Sequence, residues 1–287
     1  MSSQPLVSVM MPAFNAEYTI DKAIKSLQLQ TYESWECVIV DDGSTDDTVA
    51  IINSIQDDRI RLIKLEKNMG RGYARQVALE NCHGEYVAML DADDWYYNGK
   101  LQAQVEAFNN YPELGVVSCG MAVTNTTGDI SGVRSIGDNQ VKFFDKPTTV
   151  PVPHAPSMYR KSLAENIRYD SRFKLAQDVD FLRRLLVHEK YMLLDMIGYV
   201  YEEQQSNSPK KIFQGYYYSA RGYLKFLPSF PITAVSKSTF EIAKLIRLMG
   251  YTALGKFDVL IASRSLKPTL LQQREFNAQL KTLDDKQ

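Results

Sequence analysis

Cysteine is scarce in this chain: Cys37, Cys82 and Cys119 are scattered, odd in number and never at a metal-ligand spacing. That excludes a disulfide framework and fits a reducing compartment. Long apolar runs are absent too, and none approaches the ~20 residues of a membrane span. The start, Met1-Ser2-Ser3-Gln4-Pro5, has neither the basic end nor the apolar centre of a signal peptide. The expectation is a protein acting in the cytosol or peripherally on a cytosol-facing membrane surface. No G-x-G-x-x-G follows the first strand; Gly70-Arg71-Gly72 is incomplete and misplaced, which excludes a nicotinamide-type dinucleotide site.

What is present is enough apolar material for a large core, 45% of 287 residues, with an ordinary 23% charged. The net charge of −1 conceals an asymmetry. From Ser206 onward 13 Lys/Arg meet 5 Asp/Glu, giving +8, whereas the remainder holds 20 basic and 29 acidic residues, giving −9. An acidic body with a basic tail predicts a tail that meets an anionic surface, whether membrane, partner or nucleic acid. Nucleic acid is poorly supported, because no recognition motif accompanies the charge.

Along the chain, strand and helix patterns alternate. Apolar runs at residues 6–11, 35–40, 60–65 and 86–90 read as strands. Between them, Ile20, Ala23, Ile24 and Leu27 recur at helical spacing, as do Ala74, Val77 and Ala78. Ser44 with Asp47 resembles a capping box opening a helix that buries Val49, Ile52 and Ile55. Such alternation predicts right-handed βαβ crossovers and a mostly parallel sheet, with ligands bound beyond the carboxyl ends of the strands. Those ends carry Pro12-Ala13-Phe14-Asn15, Asp41-Asp42-Gly43-Ser44 and Asp91-Ala92-Asp93-Asp94. A helix near residues 99–110, a strand at 114–119, hairpins or a mobile loop over 125–153 and a helix over 173–186 follow.

The last of those ends is the most informative. Three carboxylates within four residues, just past a buried strand, repel one another unless a cation or water relieves them. A hard divalent cation prefers such oxygen ligands, completed by phosphate and water; a solvated acidic turn capping the next helix is the plainer alternative.

Taken in order, the motifs resemble family 2 glycosyltransferases of the GT-A fold. The matching pieces are Val7-Ser8-Val9-Met10-Met11-Pro12-Ala13-Phe14-Asn15, Gln30-Thr31-Tyr32-Glu33-Ser34-Trp35-Glu36 and Val40-Asp41-Asp42-Gly43-Ser44-Thr45-Asp46. Then come Asn68-Met69-Gly70 leading to Ala74-Arg75, Gly84-Glu85-Tyr86, Leu90-Asp91-Ala92-Asp93-Asp94, His154-Ala155-Pro156-Ser157 and Gln177-Asp178-Val179-Asp180. The resemblance implies a catalytic domain over about residues 1–205, with a nucleotide-binding half near 1–98 and an acceptor half near 99–205, and a mainly helical extension over 206–287.

It also implies roles. Pro12, Phe14 and Glu17 would line the base pocket, Asp42 would accept a hydrogen bond from a uracil-like edge, and Arg75 would approach the nucleotide. Asp91 would meet the ribose or the metal's water shell, and Asp93 would hold Mn²⁺ or Mg²⁺ on the diphosphate of a nucleotide sugar, a UDP-sugar being favoured. Asp178 would be the base that deprotonates an acceptor hydroxyl, near an acceptor-side His154. The acceptor would be a glycan or a lipid-linked sugar in bacterial surface-polysaccharide assembly. The chain departs from the pattern twice: Gln177 stands where Glu is usual, and Glu202-Glu203-Gln204-Gln205 replaces a common Arg and His, leaving Lys210 or Lys211 as substitutes.

The chemistry suits these residues. Breaking an anomeric C–O bond passes through an oxocarbenium-like state. A cation neutralises the leaving diphosphate, and one carboxylate base without a covalent nucleophile gives inversion. Asp180, two residues past Asp178, is expected to pair with Arg183 or Arg184. A non-catalytic sugar-nucleotide or glycan-binding module is the rival reading. A sugar-nucleotidyltransferase is disfavoured because its Gly-rich basic loop is missing after the first strand. In the tail, the aromatics from Phe213 to Phe230 and the stripe Ile242, Leu245, Ile246, Met249 are expected mostly to pack on the catalytic body, a membrane-lying face being the alternative.

Overall fold

Val7–Ala13 (β1), buried along its whole length, is the axis of the parallel half of the sheet. In this computed structural model residues 4–202, 208–255 and 265–285 are described. β1 pairs in parallel with Trp35–Asp41 (β2) on one side and with Tyr86–Met89 (β4) on the other, and Ile60–Lys64 (β3) extends the sheet beyond β2. The crossovers are Ile20–Gln28 (α1), Thr48–Ser54 (α2) and Arg71–Glu80 (α3).

Both faces of this half are covered, so its strands are apolar on both sides. Val7, Val9, Cys37, Ile39, Ala88 and Leu90 enter one core cluster with the apolar face of α1. Met10, Val38, Val40, Val87 and Met89 enter the other with Ala74 and Ala78 of α3. The period-two alternation sends neighbouring residues to opposite helical layers. All three cysteines are buried and free.

The other half is mixed. Trp95–Tyr96 (β5), Lys100–Asn110 (α4), Leu114–Thr124 (β6), Ile130–Arg134 (β7), Val141–Phe144 (β8), Met158–Arg160 (β9), Gln177–Leu186 (α5) and Glu189–Glu202 (β10) follow in order. The strands run β3-β2-β1-β4-β9-β6-β10-β5, with β7 on β6 and β8 on β10. β9 joins the halves antiparallel to both β4 and β6. The fold is therefore α/β, a sheet flanked by helices with a helical C-terminal segment, as expected from the sequence.

The C-terminal helices are Pro209–Leu224 (α6), Pro231–Ala253 (α7) and Leu270–Asp284 (α8). α8 returns to the sheet: Phe276 lies 5.8 Å from the Trp95 ring, and Gln279 exchanges two hydrogen bonds with Asn98. α7 turns Ala234, Ser238, Glu241 and Leu248 inward, leaving Ile242, Ile246 and Met249 exposed. The expectation that this stripe packs on the catalytic body is thus corrected. Ala234, Ser238 and Glu241 share the packed face with Leu248, whereas Ile242, Ile246 and Met249 are turned to the outer face.

The expected capping box at Ser44 and Asp47 does not form. Ser44 Oγ accepts the Asn15 N–H at 2.9 Å, and Thr48 Oγ1 accepts the Ala16 N–H at 2.7 Å, so both hydroxyls hold the loop after β1 instead. The N-cap of α2 is Asp47, whose side chain makes no capping bond; Asp46, just before it, accepts the Thr48 N–H at 3.1 Å.

Candidate active site

Three strand ends build the first cavity. It measures about 500 Å³ and is lined by the end of β1 and the loop after it (Pro12 to Ala16), Asp42 after β2, Asn68 and Gly70 before α3, and Asp91 to Asp93 after β4. Tight turns bring these segments together. Gly43 has φ +75, and a Cβ there would lie 2.7 Å from the Lys67 carbonyl carbon; Gly70 has φ +93 at the N-cap of α3. Left-handed backbone of this kind favours glycine. Asp42 ties the turn down, accepting the Met69 N–H at 2.7 Å and the Gly70 N–H at 2.9 Å.

Pro12, Phe14, Asp42, Asp91 and Asp93 all line this cavity. Glu17 does not. Its carboxylate accepts the Asp47 N–H at 3.1 Å, and the neighbouring Tyr18 lines the cavity in its place. Arg75 is also set back: buried in α3, it places Nη2 3.0 Å from Asp91 Oδ1, behind the cavity wall.

The acidic turn is asymmetric. Asp91 is held by Arg75, while Asp94 accepts the Tyr199 hydroxyl at 2.5 Å and the Glu202 N–H at 3.0 Å. The Asp93 carboxylate accepts no hydrogen bond from another described residue. Carboxylate oxygens of Asp91, Asp93 and Asp94 all lie within 4.8 Å of one another. Burial, then repulsion from its acidic neighbours, raises Asp93 and raises Asp94 well above the usual carboxylate range. Burial also opposes ionisation of Asp91, but Arg75 and Arg71 overcome it and hold that carboxyl low. A crowded, partly desolvated carboxylate set with one member free suits a hard divalent cation, which supplies the missing countercharge.

A second cavity, of about 580 Å³, opens beside the first, between α5, the loop at 149–154 and helices α6 and α7. His154 lines it, buried, with Nε2 2.8 Å from the Tyr169 hydroxyl and Nδ1 without a partner. Burial and then Arg75 push His154 down to about 4, so the ring is neutral near pH 7. Asp178 occupies the first turn of α5 between Ala176 and Val179, both of which line this cavity. Its Oδ1 accepts the Val179 N–H at 2.9 Å. Ala176, the N-cap, has φ +59, a left-handed conformation costly for a residue with a Cβ and typical of sites the fold over-determines.

Asp180 pairs with Arg184 at 2.7 Å and also with Lys225 of the region after α6 at 2.8 Å. Arg183 stacks 3.8 Å over the Tyr223 ring. These residues fasten α6 to α5. Sequence reasoning missed Arg71, Tyr18 and Asn68 in the first cavity, Asp94 as the tie to β10, and Arg183 in the second. Arg71, at the first position of α3, borders both cavities; only its place directly after the Asn68-Met69-Gly70 turn hinted at this. Residues 203–207, where the expected Arg and His are replaced, lie outside the described residues. Lys211 borders the second cavity, and Lys210 is exposed beside it.

Comparison with known proteins bears on the family and the fold. The model of the family described as glycosyl transferase family 2 matches residues 8–168. An uncharacterized glycosyltransferase of Haemophilus influenzae is 40% identical over 153 residues, 50% of this chain and 61% of that protein. The Escherichia coli UDP-Glc:alpha-D-GlcNAc-diphosphoundecaprenol beta-1,3-glucosyltransferase WfgD is 41% identical over 100 residues, 35% of this chain and 40% of that protein. The match thus spans less than two thirds of either relative. The crystal structure of S. aureus TarS 1-349 in complex with UDP superposes with a TM-score of 0.67 at 22% identity, covering 96% of this chain and 79% of that one.

Proposed function

Because this chain belongs to glycosyl transferase family 2, as the match over residues 8–168 shows, we propose that it is an inverting, nucleotide-sugar-dependent glycosyltransferase. The observation that supports this reading is the pair of adjoining cavities, one lined by Asp42, Asp91 and Asp93, the other by His154 and by Ala176 and Val179, which flank Asp178 in the chain.

In this reading the nucleoside diphosphate occupies the first cavity. Pro12 and Phe14 face the base, Asp42 meets its polar edge while anchoring the turn, and Glu17 supports the loop from behind. Asp91, held ionised by Arg75, turns toward the ribose and the diphosphate. Asp93 and Asp91 would hold Mn²⁺ or Mg²⁺, which when bound neutralises charge on the leaving diphosphate. Asp178 accepts the proton of an acceptor hydroxyl attacking from the second cavity. His154, neutral and fixed by Tyr169, positions the acceptor. Gln177 keeps a second charge away from Asp178.

A UDP-sugar is the favoured donor, since an aspartate at the base position suits a uracil edge and the E. coli relative is named for UDP-Glc. That relative's name also favours a lipid-linked sugar diphosphate as acceptor. No described helix is long and apolar enough to cross a membrane. The exposed row Ile232, Val235, Ile242, Ile246 and Met249 along α7, beside Lys237 and Arg247, supports peripheral contact with an anionic bilayer.

Calorimetric titration of UDP, GDP, dTDP and CDP, with Mn²⁺ or with EDTA, into wild type and Asp93→Ala tests the donor site. Metal-dependent UDP binding, lost in Asp93→Ala, is expected. Equal binding of all four without metal would defeat the assignment.

A further inference from the structure

We infer that Arg71 is the cation that meets the distal phosphate of the donor diphosphate and stabilises it as the bond to the sugar breaks. The inference rests on the proposed glycosyltransferase reading and adds a catalytic residue to that same site.

Position is the first observation. Arg71 lines both cavities, and among the described residues it is the one cation on the wall of the first. It takes the first position of α3, directly after the N-cap Gly70. The next residue, Gly72, packs α3 against the first turn of α5: a Cβ there would lie 3.6 Å from Gln177 Cγ, in ordinary contact. Asp178 follows Gln177 in that turn. Arg71 thus stands where the first cavity adjoins the second. A donor seated with its base by Pro12 and Phe14 brings its distal phosphate, the one that carries the sugar, toward this passage.

The second observation is that nothing else in the fold uses this side chain. Arg71 is exposed and makes no hydrogen bond or ion pair with another described residue. A cation at a helix N-terminus opposes the helix dipole, so α3 gains nothing from it. Asp42 on the same wall is tied to backbone N–H groups, and Asp91 is paired with Arg75. The Arg71 charge favours ionisation of Asp91 and Asp93 without closing an ion pair with either. An unpaired guanidinium on such a wall has its planar fork available for phosphate oxygens.

The end of β10 is the third. Glu202 there pairs with Lys22 and donates its N–H to Asp94. From Glu202 to Asn207 the sequence holds no Lys, Arg or His. Of the two lysines that follow, Lys211 lines the second cavity alone and Lys210 lines neither. A side-chain cation for the diphosphate has to come from another element, and α3 presents one.

As the anomeric C–O bond breaks, its electron pair passes to the oxygen of the distal phosphate. The acceptor oxygen bonds to the anomeric carbon and yields its proton to Asp178. Charge gathers on the distal phosphate, and a fixed cation there acts most strongly at that moment.

The test is calorimetry on the full chain in Mn²⁺ with UDP, with UMP, which lacks the distal phosphate, and with UDP-glucose, whose distal phosphate has not gained the leaving-group charge. Arg71→Gln should weaken UDP about tenfold, the size of one hydrogen bond to a charged group. It should weaken UDP-glucose less and leave UMP within about twofold of wild type. Arg71→Lys, which keeps the charge but not the fork, should recover part of the loss. Lys211→Gln should leave the preference for UDP over UMP unchanged. Unaltered UDP binding in Arg71→Gln, an equal loss for UDP and UMP, or an equal loss for UDP and UDP-glucose overturns the assignment. A preference lost in Lys211→Gln and kept in Arg71→Gln overturns it too. Failure of wild type to bind UDP defeats the donor reading instead.

Discussion

Arg75 Nη2 lies 3.0 Å from Asp91 Oδ1 in a pair whose side chains are 3% and 17% exposed, so the arginine braces a carboxylate of the first cavity from behind. Breaking a buried pair by removing one partner leaves an uncompensated charge. Arg75→Met should therefore cost about 3 kcal/mol in denaturant unfolding. The double variant Arg75→Met/Asp91→Asn should recover part of that loss. Full additivity of the two single changes would show that the pair is not coupled.

Asp178→Asn tests the base. The amide cannot accept the acceptor proton, yet it preserves size and the first-turn position. Turnover should fall about 10²- to 10⁴-fold, the usual contribution of a positioned general base, while UDP binding stays within twofold of wild type by order of magnitude. Undiminished turnover would remove Asp178 from the mechanism.

His154 predicts a pH dependence of stability. Its folded value is lowered to about 4, against about 6.5 in the unfolded chain. As pH falls, the unfolded chain takes up the proton first, so the stabilisation present above 6.5 is lost progressively down to about 4. Over that window wild type should lose about 3 kcal/mol more than His154→Gln. Parallel unfolding curves for the two proteins from pH 7 to 4 would contradict the burial of a neutral ring.

The outer face of α7 predicts lipid dependence. The chain should sediment with vesicles of phosphatidylglycerol and phosphatidylcholine but much less with phosphatidylcholine alone, and high salt should release it. Ile246→Glu, at a side chain 68% exposed, should reduce sedimentation several-fold without altering UDP binding. Unchanged sedimentation would leave this face to another partner.

The first cavity was largely legible in the sequence. Pro12 lies in the last residues of β1, Phe14, Asp42, Asp91 and Asp93 follow closely on the ends of β1, β2 and β4, and parallel pairing in register must bring those ends to one edge. Such residues owe their place to short-range pattern and to the two-residue period of buried strands. Glu17 and Arg75 illustrate the limit: the sequence places them near the site, but only packing decides that one faces Asp47 and the other the back of Asp91.

The second cavity was decided by tertiary structure. β9 and β10 were hard to read because β9 spans only Met158–Arg160 and β10 mixes buried with exposed positions through several register shifts against β6. Its walls come from residues 71, 135, 149–154, 175–183 and 211–244, drawn together by contacts between elements far apart in the chain. Tail composition implied a surface for anions but could not say which face of α7 turns inward, because apolar residues lie on both sides of the helix. Close packing chose Ala234, Ser238 and Leu248 for the interior. The same packing buried Arg183 against Tyr223 and Gly222, with its Nε and Nη1 left without a hydrogen-bond partner among the described residues.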